Sequence, residues 1–155
     1  MYRTTLPLVS LLAFAACAGG DPATTDPELN GLTGIWSATL GVVTYRYELS
    51  EAGGSVRGTM SLVAPGSLEG DGTVEGNLTG AQVVLDASLE LDAGLDTPMP
   101  ADSRLRGTFL ANRISGTLVI EFGEARGTGP DGQTIGARIE PNPMTLNIIL
   151  VRQRG

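Results

Sequence analysis

Residues 34–49, GIWSATLGVVTYRYEL, decide the fold. From Val43 on, the apolar side chains fall on Val43, Tyr45, Tyr47 and Leu49, with Thr44, Arg46 and Glu48 between them. That period of two marks a strand with one buried face. The preceding run puts Trp36, Ala38 and Leu40 on one side in the same way. A two-residue Gly41-Val42 turn of type II′ sets Leu40 opposite Val43, Ala38 opposite Tyr45 and Trp36 opposite Tyr47. Every apolar pair then shares a face, so pattern and register agree.

Working outward, residues 50–54 read as a turn into a third strand, 55–64, with Val56, Gly58, Met60 and Leu62 facing in. Setting Leu49 opposite Val56 brings Gly58 beside Tyr47, Met60 beside Tyr45 and Arg57 beside Glu48, and the glycine then leaves room for a tyrosine ring. A weaker fourth strand, 69–79, passes through a Gly80-Ala81 turn into 82–91, where Val83, Leu85, Ala87, Leu89 and Leu91 alternate with Val84, Asp86, Ser88 and Glu90. A loop, 92–102, leads to a sixth strand at 103–110 with Leu105, Gly107 and Phe109 inward. Ala111-Asn112 then closes a hairpin with 113–122, which sets Gly107 opposite Gly116. On the outer face Asp86, Glu90 and Asp92 lie across from Arg104 and Arg106, which predicts a ladder of exposed ion pairs, not a catalytic carboxylate pair.

The glycine-rich segment 123–143 leaves room for a short extra strand at 133–140, which would raise the count above eight. Within it, residues 127–132 (GTGPDG) match GxGxxG by letter, but neither a helix pattern nor a βαβ unit surrounds them, so a dinucleotide loop is excluded. Asp71-Gly72 and Asp131-Gly132 lack the further oxygen ligands of a calcium loop and read as turns. The last strand, 144–152, puts Leu146, Ile148, Leu150 and Arg152 on one face. In an even-numbered meander it runs antiparallel to the first, which brings Arg152 near Trp36. The expected fold is all-β: an antiparallel up-and-down barrel of about eight strands, built from a core that a mature chain of about 140 residues can bury without staples.

Composition narrows the chemistry. The chain has no histidine and no lysine, so the usual nucleophile–base pairs and histidine metal sites cannot be assembled. The expectation is a protein that is not an enzyme, with no catalytic residues, no metal and no cofactor. A net charge of −7 opposes binding to nucleic acid or to an anionic lipid surface, and no basic run or basic–aromatic interleaving argues for nucleic acid as a partner.

At the amino end, residues 1–16 place Arg3 before an apolar run from Leu6 to Ala16 and then small residues, the order of a secretory signal, too short to span a bilayer. Phe14-Ala15-Ala16-Cys17 resembles the lipobox of bacterial lipoproteins, with Phe14 in place of the usual leucine. The resemblance implies that Cys17, the one cysteine, receives a diacylglyceryl group, becomes the new amino terminus and is acylated. Ala18 and Gly19, with no aspartate directly adjacent to the cysteine, resemble the signal for export to the outer membrane in bacteria with two membranes. The expected organisation is a signal peptide at 1–16, a lipidated cysteine and tether at 17–32 whose coil spans on the order of 20 Å, and a barrel at 33–152.

Gly34-x-Trp36 at the head of the first strand, with Arg152 at the end of the last, resembles the signature of calycins, the superfamily of lipocalins, fatty-acid-binding proteins and avidins. The resemblance implies that Arg152 lies across Trp36 at the closed end of the barrel. Gly31-Leu32-Thr33-Gly34-Ile35-Trp36 followed by Leu40-Gly41 is most similar to the opening of avidin-type barrels. Biotin binding is not carried over, because Ala38 and Val42 stand where those proteins place polar contacts.

Two functions follow as expectations. In one, a lipid-tethered barrel holds one small apolar ligand among Trp36, Tyr45, Tyr47, Met60, Leu85, Leu89, Phe109, Leu118 and Leu150, with Gly58, Gly107, Gly116 and Ala38 leaving the void. In the other, the barrel is filled and serves as a structural or protein-interaction module of the envelope, and the same glycines serve only wall curvature.

Overall fold

Alternating apolar residues along successive strands close into one wall. A computed structural model of the protein describes residues 31–154. Its strands are β1 (Gly34–Leu40), β2 (Val43–Ala52), β3 (Ser55–Ala64), β4 (Leu68–Thr79), β5 (Gln82–Asp92), β6 (Met99–Leu110), β7 (Arg113–Phe122), β8 (Ala125–Thr128), β9 (Thr134–Ala137) and β10 (Met144–Arg152). Eight of them form a closed antiparallel barrel in the order β1-β10-β7-β6-β5-β4-β3-β2. The expected signal peptide at 1–16, Cys17 and residues 17–30 of the expected tether lie outside the described residues.

The opening hairpin has the register its sequence dictates, with Leu40 facing Val43, Ala38 facing Tyr45 and Trp36 facing Tyr47 across the Gly41 turn. β2 and β3 do not pair as the sequence suggests. β2 runs on to Ala52, and the turn shrinks to Gly53-Gly54, with Ala52 opposite Ser55. Both glycines take positive φ, 60° and 83°, which a two-residue hairpin needs and other residues resist. The Gly54 N–H donates to the Glu51 carboxylate at 2.8 Å. The register therefore slides by two residues: Leu49 faces Gly58, Tyr47 faces Met60, Tyr45 faces Leu62, and Glu48 faces Thr59 instead of Arg57.

Further departures have equally local causes. β6 begins at Met99, not at 103, because Met99, Ala101 and Ser103 already point inward and are buried. Pro100, which has no N–H to give, lies beyond the last β6–β7 pair, Ala101 with Phe122, and its carbonyl accepts from Gly123 N–H at 2.8 Å. The expected extra strand exists as β9 but pairs with β8 in a separate two-stranded ribbon, so the barrel stays at eight. The GxGxxG letters span the end of β8 and the ribbon's tip, where Gly129 N–H donates to the Gln133 carbonyl at 2.8 Å. The ion-pair ladder reduces to one rung, Arg104 to Asp86 at 2.5 Å, since Arg106 faces Val84 and Glu90 faces Pro100.

β4 is the strand whose pattern is faintest, because Gly70, Gly72 and Gly76 occupy inward positions among Leu68, Val74 and Leu78. A Cβ at Gly72 would lie 1.8 Å from the Ser88 carbonyl oxygen of β5, and one at Gly58 2.0 Å from the Glu48 oxygen of β2. Neighbouring backbone therefore fills the space that each missing side chain vacates. Gly72→Ala is expected to lower stability by about 3 kcal/mol through forced separation of β4 from β5, read as a lower urea midpoint of the mature chain.

β1 is fastened unequally on its two sides. Seven residues, Gly34 to Leu40, have register partners in β2, and two, Trp36 and Ser37, have partners in β10. Gln153 extends that seam, its N–H donating to the Ile35 carbonyl at 2.8 Å and its amide to the Ser37 hydroxyl at 2.7 Å.

Candidate functional site

The barrel interior and the rim at which the chain enters are where sequence places a site. Trp36 and Arg152 are register partners across the seam, and the guanidinium carbon lies 4.6 Å from the centre of the indole ring. Trp36 Nε1–H donates to the Leu32 carbonyl at 2.8 Å, and Arg152 donates to the Gly31 carbonyl. Gly34 packs under the Arg152 side chain, with a Cβ there 3.8 Å from Cδ. Phe109 meets Trp36 edge to face, centroids 5.8 Å apart and planes at 81°. The segment 31–36 is thus folded over this end of the barrel. Leu32, which the sequence reading assigns to the tether, is fully buried and belongs to the core.

The other residues of the candidate ligand set converge on the interior. Trp36, Tyr45, Tyr47, Met60, Leu85, Leu89, Leu118 and Leu150 each expose 2% of their surface or less, while Phe109 is half-buried beside the rim. A ligand-sized void would leave surface on the side chains that line it, so values this low describe close packing. The glycines point the same way. At Gly107 and Gly116, which face each other, a Cβ would meet Ser115 and Arg106 carbonyl oxygens at 2.7 and 2.1 Å.

One polar spot lies in this core, and sequence reasoning missed it. Ser103 donates to the Met60 sulfur at 3.4 Å and faces the Tyr47 hydroxyl, which is buried with no hydrogen-bond partner. Extending the period of two back from Leu105 through Ser103 to Met99 would have found it. Burial pushes the Tyr47 phenol above its ordinary pKa, and Tyr45 is raised for the same reason. A raised value means that the fold keeps its proton while the unfolded chain, titrating near pH 10, loses it. The contribution to stability is intact below about pH 10 and is lost as pH rises through the folded-state value. Tyr47→Phe is expected to be nearly neutral at pH 7, since the lost hydroxyl had no partner, and to move the midpoint of alkaline unfolding upward, followed by tyrosinate absorbance.

Depressions on the surface open on the outer wall. A groove of about 910 Å³ crosses β3 to β6 and is lined by Glu69, Asp71, Glu90, Asp92, Asp102 and Pro100 among others. Within it, like charges face each other across β4 and β5, Glu69 with Asp92 and Asp71 with Glu90, an arrangement that costs stability. Among the described residues no group of three or more histidine, cysteine or acidic side chains is placed to hold a metal ion.

No protein-family model, curated protein or solved structure matches the chain.

Proposed function

We propose that the chain is a lipoprotein of the bacterial cell envelope, anchored through Cys17 at the outer membrane, whose calycin-like barrel is filled and acts as a structural or protein-interaction module. The observation that carries the second half is the packed interior: the eight innermost candidate side chains are at most 2% exposed, and neighbouring backbone fills the space beside the inward glycines. The contact of Trp36, Arg152 and Gly34 at one rim supports the calycin likeness. The lone cysteine after Phe14-Ala15-Ala16 supports the anchor. Without histidine or lysine, and with depressions on the outer wall, binding of another macromolecule fits these residues better than catalysis does.

A carrier of one small apolar ligand is the second reading. It is favoured by the Tyr47 hydroxyl, buried and without a partner, which a polar head group would satisfy. Titration with a fluorescent fatty-acid analogue separates the two. The filled barrel gives no saturable change in Trp36 emission, whereas saturation at one analogue per chain would restore the carrier.

A further inference from the structure

The net charge of −7 conceals a division along the barrel axis. The end at which residue 31 enters is closed by three two-residue turns, at 53–54, 80–81 and 111–112, and by the exit of β10. Among the described residues it carries Arg57, Arg113, Arg152 and Arg154 against two carboxylates, Glu51, which is engaged with Gly54, and Glu75, which faces Arg57 across β3 and β4. Among the described residues the ion pairs use Arg46, Arg104, Arg126 and Arg138, so Arg57, Arg113 and Arg154 are exposed cations in none of them. The opposite end holds Glu69, Asp71, Glu90, Asp92 and Asp96, and the two arginines of the 123–143 excursion are each beside a glutamate.

Three of the five exposed large apolar side chains among the described residues, Leu110, Ile149 and Val151, lie toward the same end, while Val42 and Ile135 lie at the other. Leu110 faces Arg113, which in turn faces Val151, so one row across β6, β7 and β10 reads apolar, cationic, apolar. Leu110 is 77% exposed and Val151 38%, and Ile149, on the same face of β10, is 51% exposed. Apolar groups interleaved with arginine suit the boundary between head groups and acyl chains, and the flat turns let the rim approach a plane closely.

We infer that this rim docks on an anionic lipid surface, so that the barrel stands with its arginines on the membrane and its acidic groove turned away. The inference rests on the proposed lipid anchor. Thirteen residues lie between Cys17 and Gly31, and the chain enters the barrel at this end. The anchor supplies proximity, while local charge and apolar side chains set orientation within a Debye length of about 10 Å.

Two arms test this. In the acylated full chain, an environment-sensitive fluorophore is placed on Leu110→Cys or on Glu69→Cys, and the protein is reconstituted on vesicles of phosphatidylcholine with or without phosphatidylglycerol. The expected result is a blue shift at 110 that requires phosphatidylglycerol, none at 69, and loss of the shift in Arg113→Glu/Arg154→Glu. Equal behaviour at the two positions, or a shift at 110 that grows with protein concentration in the absence of vesicles and so marks a second copy of the chain, overturns the inference. In the other arm the mature Cys17→Ser chain, which needs no acyl group, is sedimented with the same vesicles at low salt. Preference for phosphatidylglycerol, reduced about tenfold or more by the double arginine variant, supports docking, and equal binding to both vesicle types overturns it. Absence of acylation on the wild-type chain would defeat the anchor by itself and leave this second arm able to read the rim.

Discussion

Cys17→Ser is expected to move the protein entirely from the membrane fraction to the soluble fraction and to abolish incorporation of labelled fatty acid. The lipobox likeness implies thioether formation at the Cys17 sulfur followed by acylation of the new amino terminus, and a serine hydroxyl offers no comparable nucleophile. Each buried methylene contributes about 0.8 kcal/mol of membrane affinity, and one chain alone holds a protein only marginally, so several chains on one residue make the difference between retention and release. The three exposed rim arginines, Arg57, Arg113 and Arg154, are too few to substitute for them: at about 1 kcal/mol each near an anionic surface they orient but do not retain. Retention of the serine variant in washed membranes would show that something other than acylation holds the protein there.

Trp36→Ala should lower stability by about 3–5 kcal/mol, a large share of what a domain of this size has. Three things are lost together: a fully buried ring, the 2.8 Å bond to the Leu32 carbonyl, and the face on which Arg152 lies. Trp36→Phe keeps most of the ring but leaves the Leu32 carbonyl without its donor, so it should fall between wild type and alanine. Denaturant melts of the mature chain check the order. If the alanine and phenylalanine variants melt together, the hydrogen bond outweighs the volume. If neither differs from wild type, the rim contributes nothing to holding the barrel closed.

Much of this architecture is legible in the letters. Gly41-Val42 sets the first register, and β5 alternates without a break from Val83 to Leu91. Legibility fails where glycine stands at an inward position. The same letter at Gly58 or Gly72 is compatible with a void or with a neighbouring strand pressed close, and only the placement of Glu48 and Ser88 oxygens decides between them. The β2–β3 slip has a similar origin: a turn of five polar and small residues and a turn of two glycines are both written in 50–54, and the strand takes the longer ladder. Pro98 and Pro100 hide the start of β6, and Ser103, inside the expected strand, is a polar letter that by itself gives no sign that its side is buried. Leu32 reads as linker because nothing local shows that its carbonyl will meet an indole. Net charge, being a sum, gives no sign of which end the arginines occupy.

The lopsided fastening of β1 has a mechanical meaning for a tethered protein. In a chain anchored as proposed, tension along it would reach the barrel at Gly31 and load the seven-residue ladder with β2 in shear, many hydrogen bonds at once. The two-residue seam with β10 is the weaker joint, and Arg152, reaching from the last strand to the Gly31 carbonyl, spans it as a stitch. Drag on a barrel anchored in this way falls on the longer of the two ladders that hold β1, while its shorter joint is bridged at the point where the pull arrives.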